Sequence, residues 1–409
     1  MKTLAVNYNG WGESWHFGTL ADDGSTLLFE YSPEALRQGL ELSPIHLQLR
    51  AEAYGAFPAF LQRLPGLIAD CLPDGWGLLL MDRFFRRHGR DPAACSPLDR
   101  LAFLGDRAMG AFTFEPAEKL ELPERDRKLL QLAREIKQVI SGRDREVLKE
   151  LVVLGGSPQG ARPKVLVYYD TQSGSISTHA AQGHRPVVVK FPAKEEHREV
   201  CAIEDTYAHL ARLCGLDVPD TWHFPLGRSL AAFGIARFDR EGALRVPMHT
   251  LAGVLHADFR VPSVDYTTFL RATRLITRDE REVHKAYQRA AFNVLFNNRD
   301  DHSKNISFRL SRDRTWHLSP CYDLTFSMGP GGEHQMDVCG EGRAITREHM
   351  LRLAREGGLK SEAAAAELDR LLERADVFQR LAKERPIRVA TVKAITAAIT
   401  ANRERLNSH

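Results

Sequence analysis

The segment Phe296-Asn-Asn-Arg-Asp-Asp-His-Ser-Lys-Asn305 packs two adjacent acids, a His, a Lys and three Asn into ten residues. An apolar run precedes it. Over residues 281–295, Val283, Tyr287, Ala291, Val294 and Leu295 recur at helical spacing and share one face. A turn-like segment, Ser319-Pro-Cys-Tyr-Asp-Leu324, follows and adds a third acid, Asp323. A helix therefore delivers the chain into an oxygen-rich loop. One reading of that loop is a solvated polar cap. The other is a reactive centre, and the spacing of its acids and amides separates the two better than their density does.

Arg299-Asp300-x-x-x-x-Asn305 has the separation of the R-D-x-x-x-x-N catalytic loop of protein kinases. Phosphoryl transfer needs one carboxylate near the attacking hydroxyl. It also needs an amide oxygen and a second carboxylate to hold metal against the phosphates. Hard Mg²⁺ prefers oxygen, and Asn supplies one without adding charge. The expected roles are Asp300 as base or hydroxyl-orienting group, with Asn305 and Asp323 as metal ligands.

The chain has 409 residues, which suits two or three domains rather than one core. Hydrophobic residues make up 43% and charged residues 27%, so a globular protein is expected rather than a disordered one. The net charge of +3 is too small to argue for nucleic-acid binding by bulk charge. None of the six Cys pairs at C-x-x-C spacing, so neither a zinc site nor a thioredoxin motif is suggested. The start, MKTLAVNYNGWGESW, holds no apolar signal core, and no run is long enough to span a bilayer. A reducing cytoplasm and no membrane partner are expected.

Taken in order, Leu4, Val6, Tyr8, Trp15, Phe17 and residues 27–29 suggest short antiparallel strands with turns at Asn9-Gly10 and Asp23-Gly24. Leu72-Pro-Asp-Gly-Trp-Gly77 is a turn that launches a helix over 78–87. A second helix over 98–104 and a strand over 111–114 follow. Pro116 and Pro123 bracket the first expected domain boundary. Residues 125–151 read as one amphipathic helix.

Leu154-Gly-Gly-Ser-Pro-Gln-Gly-Ala-Arg-Pro-Lys164 then runs into a β-rich stretch over 165–169. Such a turn can present backbone N–H groups to phosphate oxygens, although an ordinary hairpin loop also uses Gly and Pro. Pro186-Val-Val-Val-Lys190 is a buried-type strand. Its Lys is placed to reach nucleotide phosphates as the strand Lys of kinases does, or else to guard a sheet edge. A helix over 199–213 carries Glu204, an acid placed to position Lys190. Glu195, Glu196 and Glu199 lie close by, and Glu204 is equally one of several surface acids.

Residues 230–239 read as strand and exposed linker. From about 245 the chain reads as helical: 248–255, 266–275, 281–295, and most of 347–409. Pro330-Gly-Gly-Glu-His334 is expected to be a flexible turn. The order is thus Gly-rich turn, strand Lys, helix Glu, linker, helical lobe, Asp300…Asn305, Asp323. It predicts an α+β, kinase-like two-lobe fold with a β-rich N-terminal part, an extra N-terminal subdomain and an all-helical C-terminal lobe. The expected divisions are 1–122, 123–244 with the Gly-rich loop, and 245–409 with the catalytic and metal-binding loops.

The chain resembles the HipA family, the Ser/Thr kinase toxins of bacterial type II toxin–antitoxin systems. The matching pieces are Leu72-Pro-Asp-Gly-Trp-Gly77, Gly160-Ala-Arg-Pro-Lys164, Val189-Lys190-Phe-Pro192, Arg237-Phe-Asp-Arg240, Asp300-Asp-His-Ser-Lys-Asn305 and Pro320-Cys-Tyr-Asp-Leu324. The D-x-H-x-K-N and Y-D-L pair is the most specific. The resemblance implies ATP and Mg²⁺ as cofactors, Asp300 as the catalytic acid, and Asn305 and Asp323 as Mg²⁺ ligands. Lys190 would contact ATP phosphates. Gly156, Ser157, Gly160, Ala161, Lys164 and His302 would lie at the nucleotide. Ala236 to Phe238 would meet adenine through backbone, and Asp239 would touch the ribose.

Ser157 falls where relatives carry an autophosphorylated Ser. Adding about −1.5 to −2 charges there would repel ATP from the loop. The implied partners are a HipB-like helix-turn-helix antitoxin, operator DNA through that antitoxin, and a protein substrate such as an aminoacyl-tRNA synthetase. Three features mark a divergent branch: Met248-His-Thr-Leu-Ala252 lacks the acidic pair of many relatives, Arg162-Pro163 sits in the Gly-rich loop, and Asn297-Asn298-Arg299 precedes the acidic loop.

Two other functions use the same residues. Asn298, Asp300, Asp301, His302 and Asp323 suit a metal that activates water on a phosphodiester, as in a nuclease. The chain also suits a co-repressor that joins its antitoxin on operator DNA. Lys190 and the Gly-rich loop favour the kinase, since a nuclease has no need of them.

Overall fold

Period-two alternation shapes the N-terminal strands as expected. In Lys2–Tyr8 the side chains of Leu4, Val6 and Tyr8 are buried. This strand lies between Trp15–Asp22 and Phe112–Glu115, and Leu27–Tyr31 completes an antiparallel sheet beyond Trp15–Asp22. The buried face is aromatic. Tyr8 stacks on Trp15 with ring centroids 4.6 Å apart, and Phe17 meets Phe112 at 4.9 Å and Tyr31 at 5.1 Å. Gly18 is required there, because a Cβ would lie 2.4 Å from Glu30 O.

These features come from a computed structural model that describes residues 1–118, 126–142, 148–156 and 158–408. Ser157 lies outside the described residues, as does the expected boundary near 122. The chain divides into two units. One holds Met1–Arg198, Trp222–His249 and Leu310–Arg314, and the other holds Glu199–Thr221, Thr250–Arg309 and Thr315–His409. Among the described residues no helix is long and apolar enough to cross a membrane.

The first unit also contains a six-stranded sheet in the order Asp126–Arg127, Ile176–Ser177, Lys164–Asp170, His184–Lys190, Ala231–Ala236, Thr221–Pro225. The single helix expected over 125–151 is instead a short strand and two helices, Leu129–Ile140 and Leu148–Gly155. Gly142, at φ +78°, supplies the left-handed residue just after the first helix and ends it. The apolar positions that suggested one helix, Leu129, Leu130, Leu132, Ile136 and Ile140, all fall before this break.

A buried ion cluster anchors this unit. Asp239 is fully buried. Its carboxylate accepts from Arg237 Nε at 2.9 Å and Nη2 at 2.8 Å, from Arg240 Nη1 at 2.7 Å, and from Gly110 N at 2.9 Å. Burial would raise this carboxyl, but Arg237 and Arg240 outweigh it and hold it well below the ordinary range. Asp239, the residue expected at the ribose, thus has both oxygens engaged inside the protein. Local sequence could not show this, since Gly110 comes from far upstream.

The second unit is helical, with Glu199–Leu213, Tyr266–Thr277, Glu280–Leu295 and the four C-terminal helices Arg347–Glu356, Ser361–Leu372, Val377–Lys383 and Val389–Asn407. It departs from an all-helical lobe in the short paired strands Ser307–Leu310 and Trp316–Leu318. Residues 248–255, expected as one helix, begin as strand Met248–Thr250. The turn into helix Leu251–Leu255 is capped by Thr250, whose hydroxyl accepts from Gly253 N at 3.0 Å.

The Tyr287 face of Glu280–Leu295 is buried as its spacing predicts. Asn402 of the last helix donates to Val294 O at 2.9 Å and Leu295 O at 3.3 Å. Carbonyls in the last turn of a helix lack part of their intrahelical bonding, and this amide adds a donor to both. The entry to the acidic loop is thereby fixed.

Glu199 ties the first helix of this unit to the last. It is buried and accepts from Arg388 N at 2.8 Å, Arg388 Nε at 2.9 Å and Thr391 Oγ1 at 2.9 Å. Burial pushes its carboxyl up, but these donors outweigh burial and hold it below its ordinary value of 4.5. Its stabilisation is thus in place above the ordinary value and is lost as pH falls through the depressed native one.

Two stability outcomes follow from these anchors. Glu199→Ala lowers stability by about 1–3 kcal/mol at neutral pH, and the gap to wild type closes on acidification, as urea unfolding at both conditions checks. Asp239→Asn leaves two buried guanidinium groups short of a countercharge and costs about 3–5 kcal/mol. Equal unfolding midpoints for Asp239→Asn and wild type would contradict the anchoring role.

Candidate active site

In the first unit, helix Leu148–Gly155 ends at Gly156, whose φ of +50° turns the chain toward the sheet. A Cβ there would lie 2.6 Å from Leu166 Cδ1. Gly160 sits at φ +107°, a conformation that favours glycine, and a Cβ there would press only on the movable end of Lys164. The Lys164 ammonium rests against bare backbone and donates to Gln159 O. Ala161 is exposed beside it.

Lys164 and Lys190 are direct cross-strand partners, so both side chains leave the same face of the sheet. Both are buried. Phe233 is the next partner in that row, and Lys190 Nζ lies 5.7 Å from its ring centroid. Ala236 closes its strand, and the N–H of Arg237 is spent on Pro186 O at 2.9 Å. Phe238 follows, half-buried. The adenine contacts expected for this segment thus fall where sheet pairing stops.

Glu204 is buried on Glu199–Leu213, a helix that belongs to the second unit, whereas Lys190 belongs to the first. Their sequence proximity placed them together; the chain assigns them to different units.

In the second unit the acidic loop separates two adjacent acids. Asp301 is buried, and its carboxylate accepts from Tyr266 OH at 2.6 Å and Gln335 N at 2.8 Å, with His334 Nδ1 at 2.7 Å. Asp300 is exposed, with 51% of its side chain open to solvent. Gln335 Nε2 donates to it at 3.2 Å, and His302 Nε2 lies 3.8 Å away. Nothing local marks Gln335 in the sequence; it matters because its backbone is held by Asp301 and its side chain by Asp300. The turn expected before it is present. Glu333 follows a 3₁₀ turn, Pro330–Gly332, and His334 is buried on Asp301.

The residues fit a hard cation. The Asn305 amide nitrogen donates to Asp300 O at 2.8 Å, which turns its oxygen the other way. Tyr322 OH donates to Lys304 O at 2.8 Å. The segments carrying Asn305 and Asp323 are therefore hydrogen-bonded to each other. Asp323 sits at φ +55°, a conformation costly for a residue with a Cβ and concentrated at functional sites.

Two members of the nuclease set are buried. Asp301 is covered by its donors, and Asn298 is buried with its amide on Asn293 Oδ1 at 3.0 Å. Among the described residues no three His, Cys, Asp or Glu gather as a metal cluster.

Comparison with known proteins agrees with this layout. Residues 8–115 match the HipA N-terminal domain and residues 156–377 the HipA-like C-terminal domain. The Sinorhizobium fredii protein Y4dM, whose name marks it as a proposed kinase, is 25% identical over 347 residues, covering 79% of this chain and 77% of that one. A chain of the solved Shewanella oneidensis MR-1 complex of HipA, HipB and operator DNA superposes with a TM-score of 0.75 at 19% identity, over 98% of this chain and 97% of that one. With both domain models in place across the site just described, the chain belongs to the HipA family.

Proposed function

We propose that this protein is an ATP- and Mg²⁺-dependent protein serine/threonine kinase that acts as the growth-inhibiting toxin of a toxin–antitoxin pair. The observation that carries the reading is the division of labour between the adjacent acids: Asp301 buried as scaffold, Asp300 exposed beside Asn305 and held by Gln335. A solvated cap has no use for that arrangement. A phosphoryl-transfer loop needs it, because its carboxylate must be open to a substrate hydroxyl and fixed in place.

In this reading Asp300 orients the hydroxyl and takes its proton. Lys164 and Lys190 bind phosphate oxygens, and the Gly-rich turn adds backbone N–H groups. Asn305 and Asp323 hold Mg²⁺, which when bound neutralises phosphate charge. Ala236 and Phe238 border adenine, and His302 lies at the nucleotide end. Ser157 is the self-regulating phosphosite. The modules are 1–122, 123–244 and 245–409.

The partners we propose are a HipB-like antitoxin, operator DNA through it, and a protein substrate of the aminoacyl-tRNA synthetase class, in the cytoplasm. The antitoxin reading is supported by the likeness to a HipA chain solved with HipB and operator DNA.

Purified protein incubated with labelled ATP and Mg²⁺ tests the activity. Asp300→Asn lowers phosphoryl transfer by about 10²–10⁴-fold, and Gln335→Ala lowers kcat by a smaller factor with the ATP KM unchanged. Equal labelling of wild type and Asp300→Asn would refute the assignment. ATP-independent DNA cleavage lost in Asp323→Ala would favour the nuclease instead.

A further inference from the structure

The Gly-rich turn is gripped by the upstream motif Leu72-Pro-Asp-Gly-Trp-Gly77, and three polar contacts converge on it. The Asp74 carboxylate accepts from Gly160 N. Trp76 N donates to Gly160 O at 3.2 Å. The indole N–H of Trp76, a buried side chain, donates to Lys164 O at 3.0 Å. The two backbones touch: Gly75 sits at φ +39°, and a Cβ on it would lie 2.7 Å from Ala161 Cα.

A second strap runs beside the first. Gln159 Nε2 donates to Asp70 O at 3.1 Å. Asp70 is fixed in turn, with His249 Nδ1 2.7 Å from its carboxylate and Ser43 Oγ 3.1 Å from the other nitrogen of that ring.

We infer that this turn is a latch: Asp74 and Trp76 are positioning residues through which the N-terminal segment sets the affinity of the Gly-rich loop for nucleotide. The inference rests on the kinase reading of that loop. Its physical basis is preorganisation. A Gly- and Pro-rich turn is entropically costly to order, and ordering it before the ligand arrives strengthens binding. Trp76 fixes the carbonyl of Lys164, so the latch also places the residue whose ammonium lies beside Gly160. The Gly160 contact is a charge-assisted hydrogen bond at a half-buried site, stronger than a neutral one and dependent on a single carboxylate. Asp74 touches no reacting atom in this scheme. Its effect therefore falls on nucleotide binding and not on chemistry.

Asp74→Ala and Asp74→Asn test this in the full chain. Asn keeps an oxygen that accepts from Gly160 N. The ATP KM rises about tenfold in Asp74→Ala, with kcat near wild type, and Asp74→Asn recovers most of the loss. Trp76→Phe keeps a ring in the core and removes only the indole donor; it moves KM in the same direction. A KM that is unchanged or lowered in Asp74→Ala, with the thermal midpoint retained, overturns the inference.

Amide hydrogen exchange over residues 158–164 in nucleotide-free protein gives a readout independent of activity. Exchange about tenfold faster in Asp74→Ala supports the latch, and unchanged exchange refutes it. A wild type that binds no ATP refutes the kinase reading, and with it any effect on nucleotide affinity. The exchange result still decides whether the latch exists.

Discussion

Asp301 is buried at the start of the acidic loop and stays there because its carboxylate is covered. Tyr266, His334 and the backbone of Gln335 all direct polar groups at it. An isolated carboxylate in that place would be costly, and only saturation by donors makes it tolerable. The network runs deeper: Asn293 donates to Tyr266 OH at 3.0 Å, and Asn298 donates to Asn293. One charge therefore fixes helix Tyr266–Thr277, helix Glu280–Leu295 and the segment at 334–335 against the loop. The neighbouring Asp300 is left open but not loose.

The same economy recurs in the first unit. Asp239 spends every oxygen on Arg237, Arg240 and Gly110, and Asp74 is spent on the backbone of a Gly-rich turn. In both cases a carboxylate is engaged by groups of the protein itself. Asp300 is exposed, and Asp323 is half-buried at φ +55°.

Local signals were legible. Helix Glu199–Leu213 and the row from Val165 into Lys190 follow from apolar spacing that short-range physics enforces. That Asp300, Asn305 and Asp323 lie on neighbouring segments was legible because they share one loop and the segment that follows it, which Tyr322 ties together. The roles of Asp300 and Asp301 were not. The two residues are chemically identical, and the partner that buries Asp301 lies 35 residues away at Tyr266. The partners of Asp239 were hidden for the same reason, its covering N–H lying 129 residues upstream. Gln335 carries no pattern of its own, because it acts through long-range hydrogen bonds to Asp300 and Asp301.

The kinase reading rests on Asn305 and Asp323 as the proposed holders of Mg²⁺ when ATP is bound. Calorimetric titration of ATP, with Mg²⁺ and with a chelator, tests it most directly in wild type beside Asp323→Asn. The account predicts that Mg²⁺ tightens ATP binding by about tenfold or more in wild type and does little in the variant. ATP binding that is absent, or equal in both proteins whether or not Mg²⁺ is present, would contradict it.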